Sequence, residues 1–82
     1  MYNLFIERAV YKQLKKVPEK EYQKIIDAIA ALAKNPRPPG CKKLKGRLGY
    51  RIRQGNYRII YEINDEVLTI NVIEVGDRKD IY

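Results

Sequence analysis

The sequence predicts an α+β fold with the element order β-αα-βββ, in which a helical hairpin packs on one face of an antiparallel meander sheet. Three observations predict this fold: a short aromatic and branched opening segment, a helical hydrophobic period after it, and three alternating segments separated by turn residues in the second half. At 82 residues the chain has the length of one domain, which we assign to residues 1–82.

The opening part of the chain changes its hydrophobic period after a few residues. Residues 2–6 (YNLFI) have the composition of a short strand. Residues 7–17 carry apolar side chains at helical spacing and form the first predicted helix. The apolar face of that helix comprises Ala9, Val10, Leu14 and Val17.

A second helix is predicted to follow at Pro18 and to run to about residue 34. Proline is favoured in a first helical turn, and the acidic Glu19 and Glu21 complement the positive end of the helix dipole. The helix cannot continue through residues 35–40 (NPRPPG), because proline lacks the backbone donor and fixes φ. The predicted buried face of the second helix comprises Tyr22, Ile25, Ile26, Ile29, Leu32 and Ala33.

Three strands are predicted beyond the proline-rich connector, over residues 49–54, 57–64 and 67–75. Gly55-Asn56 between two alternating segments is typical of a tight hairpin. Asn-Asp-Glu at residues 64–66 indicates a slightly longer turn. Together these strands form the predicted antiparallel meander.

The hairpin turn fixes a register for the first two of these strands. If Gly55 and Asn56 are the turn residues, Gln54 faces Tyr57 and Arg53 faces Arg58. Strand alternation then separates two sets of side chains. The arginines Arg51, Arg53 and Arg58 share one face, and the core residues Tyr50, Ile52, Tyr57, Ile59 and Tyr61 share the other.

Placing Arg53 directly opposite Arg58 has an energetic cost, because like charges across a strand pair destabilise a sheet. A structure that keeps this pair indicates an anion that bridges the two side chains, and guanidinium groups match phosphate oxygens well. The alternative is that the two arginines splay apart into water.

Basic residues are concentrated in the middle of the chain, whose formal net charge is +7. A stretch of this kind repels itself and indicates a polyanionic partner such as nucleic acid. A solvated face, or a docking site for an acidic protein segment, is the alternative. Residues 28–61 contain no acidic residue and nine basic ones: Lys34, Arg37, Lys42, Lys43, Lys45, Arg47, Arg51, Arg53 and Arg58.

Composition excludes several kinds of site. The chain has no histidine and one cysteine, so it has neither a Ser-His-Asp triad nor the ligands of a zinc centre, and we expect no metal and no cofactor. We interpret Cys41 as a tolerated free thiol, and the scattered Glu62, Glu66 and Glu74 as solvated side chains. No apolar run is long enough to span a membrane and no signal peptide is evident, so we expect a cytoplasmic protein without a membrane partner.

Several motifs in the second half of the chain occur together in one known family. The segment LKGRLGYRIRQGNYRIIYEI (residues 44–63), followed by VIEVGDRKDIY (residues 72–82), is similar to the RelE-type toxins of the RelE/ParE toxin-antitoxin superfamily. The NPRP loop at residues 35–38, the helix before it and the opening strand extend the resemblance to essentially the whole chain.

The resemblance implies a RelE-like fold and the toxin of a type II toxin-antitoxin system, which acts as a ribosome-dependent mRNA endonuclease and inhibits translation. It implies as partners the ribosomal RNA, mRNA, and a RelB-like antitoxin whose acidic or amphipathic segment covers residues 51–58 and displaces the C-terminal end. Operator DNA would be bound only through the toxin-antitoxin complex. The implied catalytic residues are Arg51, Arg53, Arg58, Arg78 and Tyr82, and the implied contacts to RNA and the ribosome are Lys42, Lys43, Lys45 and Arg47.

The chemistry implied by the resemblance requires no metal, because RNA supplies its own nucleophile, the 2′-hydroxyl, which attacks the adjacent phosphate. Arginine stays protonated, so Tyr82 is the better base candidate among these residues, or else a platform on which a nucleotide stacks. Relatives often carry lysine where this chain has Arg51 or Arg53. Two other functions remain open: a ParE-like, non-enzymatic inhibitor of DNA gyrase, and a catalytically silent RNA-binding module.

Overall fold

The structure, a computed structural model, describes residues 1–77. The two helices in this range lie on a five-stranded sheet, and neither is long and apolar enough to cross a lipid bilayer. In chain order the elements are β1 (Asn3–Ile6), α1 (Arg8–Leu14), α2 (Glu19–Leu32), β2 (Lys42–Lys43), β3 (Tyr50–Gln54), β4 (Tyr57–Asn64) and β5 (Thr69–Asp77).

The sheet has the strand order β1-β5-β4-β3-β2. Strands β3, β4 and β5 form the antiparallel meander that the sequence predicts, and the predicted α+β fold is confirmed. Two features were not predicted. Strand β1 pairs in parallel with β5, from Asn3 opposite Thr69 to Ile6 opposite Val72, and β2 adds two residues to the outer edge of β3.

The helix boundaries differ from the prediction for identifiable reasons. Helix α1 ends at Leu14 rather than at residue 17, because the amides of Lys16 and Val17 bond to carbonyls three residues back and form a tighter turn. Pro18 occupies the N-cap position just before α2 and not the first turn of the helix. Helix α2 ends at Leu32, two residues earlier than predicted.

Strand β5 starts later and runs further than predicted. The side-chain oxygen of Asn64 accepts hydrogen bonds from the amides of Glu66 and Val67, and Leu68 adopts a positive φ of 51°. Val67 and Leu68, which the sequence analysis assigns to the strand, therefore belong to this turn. At its other end β5 continues to Asp77, which pairs with Tyr57 at the start of β4.

The core lies between the helices and one face of the sheet. Tyr22 was wrongly predicted as buried and is 40% exposed, and Ala9 is also exposed. Ile26 is half-buried and packs against the core, while Ala33 is half-buried. The helices contribute Val10, Leu14, Val17, Ile25, Ile29 and Leu32 to the core, and the sheet contributes Ile52, Ile59, Tyr61, Ile70, Val72 and Val75.

A polar network fixes the proline-rich connector that precedes β2. The guanidinium group of Arg37 donates to both carboxylate oxygens of Asp65, at 3.0 and 3.4 Å, and the Tyr2 hydroxyl donates to the same carboxylate at 2.6 Å. The hydrogen bonds from Arg37 and then Tyr2 lower the pKa of Asp65. Arg37 also lies 5.3 Å from the centre of the Tyr50 ring. The connector is therefore held against the sheet where β2 begins.

Tyr61 anchors the connector from inside the core. Its ring is fully buried and stacks on Tyr50, while its hydroxyl donates to the Pro36 carbonyl at 2.7 Å and lies 3.3 Å from the Cys41 sulfur. Burial, followed by the hydrogen bond to Cys41, raises the pKa of Tyr61. Cys41, which the sequence analysis interprets as a tolerated free thiol, is half-buried and forms no disulfide.

We expect Tyr61→Phe to lower the free energy of unfolding at neutral pH by about 1–2 kcal/mol, since the buried Pro36 carbonyl would lose its donor. Because the pKa of Tyr61 is raised in the folded state, the tyrosine stabilises the fold fully below its ordinary pKa of 10.0 and loses this advantage as the pH rises above that value. Urea denaturation of both proteins from pH 7 to pH 11 would show the difference narrowing. A constant difference would contradict this account.

Candidate nucleic-acid interface

The predicted register of the β3–β4 hairpin is confirmed. Gly55 has φ of 60°, and the pairs across the hairpin run from Gln54 opposite Tyr57 to Tyr50 opposite Tyr61. Arg53 stands directly opposite Arg58, and Arg51 stands opposite Ile60. Since Ile52 and Ile59 enter the core, strand alternation places Arg51, Arg53 and Arg58 together on the sheet face that points away from the helices. We call this surface the arginine face.

The arginines of this face differ in exposure. Arg58 is 6% exposed, whereas Arg51 is half-buried and Arg53 is exposed. The alternative in which both members of the Arg53–Arg58 pair splay into water is therefore wrong for Arg58. The residue opposite Arg58 on β5 is Gly76, which contributes no side chain to this face. The hairpin thus places the buried cation of Arg58 directly opposite the exposed cation of Arg53.

The unpredicted strand β2 extends the arginine face in one position. Lys42 pairs with Arg51 and so lies on the same face, while Lys43 pairs with Tyr50 and lies on the opposite face. Of the two neighbouring lysines, only Lys42 therefore lies in register with the arginines.

Lys45 and Arg47 are exposed on the loop between β2 and β3. The Leu44 amide, which donates to the Gly49 carbonyl at 3.0 Å, closes this loop. Tyr50, the first residue of β3 after the loop, is roughly 10 Å along the strand from Arg53. The loop cations therefore lie just before β3, the strand that carries Arg51 and Arg53.

Two of the candidate catalytic residues, Arg78 and Tyr82, lie outside the described residues. The structure brings together Arg51, Arg53 and Arg58 from β3 and β4, with Lys42 from β2. Whether the C-terminal cation and phenol join them stays a prediction.

The sequence analysis did not assign the acidic residue Glu74 to the arginine face. Glu74 on β5 pairs with Ile60, and since the adjacent pair, Val75 and Ile59, is buried in the core, Glu74 points to the side of Arg58. The alternation of β5 could not be followed from sequence alone, because the register with β4 shifts between Ile60 and Tyr61. The sequence analysis interprets Glu74, like the other scattered carboxylates, as a solvated side chain.

Comparisons with known proteins agree with this architecture. The family profile described as "ParE toxin of type II toxin-antitoxin system, parDE" matches residues 4–82. Toxin RelG of Mycobacterium tuberculosis is 32% identical over 74 residues, which cover 87% of this chain and 84% of RelG.

Two solved structures of toxin-antitoxin complexes are also similar. The chain matched in the RelB-RelE antitoxin-toxin complex from Methanococcus jannaschii has a TM-score of 0.77 and is 34% identical, with 95% of this chain and 94% of that one covered. The chain matched in the archaeal RelE-RelB complex from Pyrococcus horikoshii has a TM-score of 0.80 and is 28% identical, with 94% of each chain covered.

The fold and these matches define the class: the chain is the toxin of a type II toxin-antitoxin system. Within that class it belongs to the RelE/ParE superfamily, as a toxin of the RelE family.

Proposed function

We propose that this toxin is a ribosome-dependent endoribonuclease that cleaves mRNA and so inhibits translation. The observation that carries the proposal is the cross-strand pair of Arg53 and Arg58, in which one cation is buried and the other exposed on the same face. A sheet that retains two like charges in direct opposition gains from an anion between them. The phosphodiester backbone of RNA supplies such an anion.

The chemistry suited to this face is attack of the 2′-hydroxyl of RNA on the adjacent phosphorus. Negative charge develops on the phosphoryl oxygens and on the departing 5′-oxygen, and fixed cations stabilise both. Arg58 is positioned by burial to bind a phosphoryl oxygen, while Arg51 and Arg53 orient the backbone on either side. Arg78 and Tyr82 would complete the site from the C-terminal end.

Ribosomal RNA is the second proposed anionic surface. Four exposed basic residues precede β3 and can bind phosphates outside the cleavage site: Lys42, Lys43, Lys45 and Arg47. The ribosome would hold the message in the conformation that in-line attack requires. We place this activity in the cytoplasm, where ribosomes translate.

The proposal is tested with purified ribosomes programmed with a defined mRNA, by mapping new 5′ ends after the toxin is added. We expect cleavage at specific positions on the ribosome and little on free RNA. Loss of cleavage in the Arg51→Ala, Arg53→Ala double variant, with Lys34→Ala, Arg8→Ala as the charge-matched control, would support the assigned face. Intact mRNA on ribosomes in the presence of folded toxin would overturn the proposal.

The second candidate is the ParE-like activity, which is favoured by the family profile that matches residues 4–82. It predicts accumulation of cleaved complexes of DNA and gyrase in a supercoiling assay, and no new mRNA ends. The catalytically silent module predicts salt-sensitive RNA binding without cleavage on ribosomes. The cross-strand arginine pair favours RNA over gyrase as the target, and the cleavage assay separates the endonuclease from the silent module.

We further propose a RelB-like antitoxin as the partner that holds this toxin inactive, since RelE relatives are found in complexes with RelB. The chain offers a groove of about 450 Å³ between α2 and the edge of β3. Small apolar residues such as Ala28, Ala31 and Pro38 line its floor, and its described lining contains no carboxylate. Lys42, Arg51 and Arg53 line its other side.

An antitoxin segment with aliphatic side chains flanked by acidic ones fits both parts of this groove. Because Arg51 and Arg53 belong to the groove and to the arginine face, bound antitoxin would exclude RNA. The toxin-antitoxin complex, rather than the toxin alone, would bind operator DNA.

We expect Ala31→Trp, which fills the groove, to weaken binding of the RelB-like antitoxin by roughly 100-fold while ribosome-dependent cleavage persists. The matched control is Ala30→Trp, one residue earlier on the same helix, exposed but outside the groove. Calorimetric titration measures both affinities. Equal affinities of the two variants would place the antitoxin elsewhere.

A further inference from the structure

We propose that Glu74 is a further catalytic residue of the arginine face: its carboxylate is the general base that removes the proton from the attacking 2′-hydroxyl. This inference rests on the proposed function. It names a proton acceptor for the reaction, a role that the guanidinium groups cannot take because they stay protonated.

The position of Glu74 follows from the pairing of β4 with β5. Gly76 is directly opposite Arg58, and Glu74 is two residues before it on the same strand, opposite Ile60. Two residues along a strand return to the same face, so Glu74 is the diagonal neighbour of Arg58, at roughly 7–8 Å between backbones. Both side chains are long enough to reach one ligand from that separation. Glu74 is half-buried.

The row of residues across the sheet places a carboxylate at one end and cations at the other. It runs from Lys42 through Arg51 and Ile60 to Glu74. The middle position is the buried apolar Ile60, 3% exposed, which separates the carboxylate from Arg51 and keeps Glu74 from pairing with it directly. A phosphodiester that lies against Arg51, Arg53 and Arg58 therefore has a proton acceptor on its β5 side.

Other acceptors in residues 1–77 are less well placed. Tyr50, Tyr57 and Tyr61 belong to the opposite face. Glu62 shares the arginine face but pairs with Asn71, beyond the register shift and further from Arg58. Asp77 pairs with Tyr57 and so lies on the side of the core. Glu74 is thus the carboxylate of this range that stands beside Arg58 on the correct face.

The proposed step is balanced without a metal or a redox partner. The 2′-hydroxyl proton passes to a carboxylate oxygen of Glu74 as the 2′-oxygen forms its bond to phosphorus. The bond between phosphorus and the 5′-oxygen breaks, and the 5′-oxygen takes a proton from water. The products are a 2′,3′-cyclic phosphate and a 5′-hydroxyl, and Glu74 returns its proton to solvent.

The test is the single-turnover rate of mRNA cleavage on ribosomes at saturating toxin. We expect Glu74→Gln to lower this rate by about 100-fold or more, while ribosome binding stays equal or becomes tighter because an anion has been removed. Glu74→Asp, which shortens the side chain, should retain an intermediate rate. Added acetate or formate should restore part of the rate of Glu74→Ala.

The matched control is Glu62→Gln, which removes the same charge from the same face and should leave the rate within about twofold of the wild type. If Glu74 merely balances the charge of Arg58, Glu74→Gln will cleave as fast as the wild type or faster, and the inference is overturned. Thermal unfolding of each variant shows whether the fold persists.

The wild-type reaction separates this inference from the function on which it depends. Cleavage by the wild type and by Glu74→Gln at equal rates overturns only the role of Glu74. Absence of cleavage by the folded wild type overturns the proposed function and the general base with it.

Discussion

Arg58→Met is expected to lower ribosome-dependent mRNA cleavage by about 100-fold or more, the range measured when one fixed donor to a transition-state oxyanion is removed. Methionine has a similar length and no charge, so it fills the buried position while it removes the cation. The loss should appear in the rate at saturating toxin, because Arg58 acts on charge that develops during the reaction. Primer extension on ribosome-bound mRNA measures the rate.

The control for Arg58→Met is Arg8→Met, which removes an exposed cation at the start of α1, on the helical layer. Arg8→Met should cleave like the wild type. Arg58→Lys retains the charge without the planar guanidinium fork, so its cleavage rate should lie between those of Arg58→Met and the wild type. Arg58 would be excluded from the site if Arg58→Met cleaved mRNA at the wild-type rate and had the wild-type free energy of unfolding.

Gly49→Ala is expected to lower the free energy of unfolding by about 2–3 kcal/mol. Gly49 has φ of 127°, and a Cβ atom there would lie 3.2 Å from the Tyr61 backbone oxygen and 3.3 Å from the Leu44 side chain. The substitution combines backbone strain with a close contact to the central strand. Urea denaturation at neutral pH measures the change.

Gly46→Ala in the same loop separates these two contributions. Gly46 also has a positive φ, of 73°, but a Cβ atom there would meet nothing within 4 Å. It should lose only about 1 kcal/mol, from backbone strain alone. Equal losses at the two positions would contradict the larger cost expected at Gly49.

The hairpin of β3 and β4 could be predicted because its register is local. A two-residue turn at Gly55-Asn56 determines which side chains face each other, and alternation then assigns Arg53 and Arg58 to one face. The parallel pairing of β1 with β5 could not be predicted in this way, since no turn joins the two strands. The two-residue strand β2 is too short to show any alternation.

The candidate site was likewise predictable only where local pairing determines it. Its cations lie in the locally determined hairpin, so their common face followed from the sequence. Glu74 lies beyond a register shift between Ile60 and Tyr61, and counting alternate residues through β5 gives no reliable face for it. The burial of Arg58 was also not foreseen, because strand alternation assigns a face and not the depth of a side chain.

The strand order also determines when a newly made chain can complete the arginine face. Strand β5 occupies the position between β1 and β4, although it is the last of these strands to be synthesised. Until it leaves the ribosome, the first strand has no neighbour and the second arginine strand is exposed along one edge. Under the proposed function, a chain still being translated therefore lacks the completed arginine face, and cleavage activity can appear only after β5 has been made.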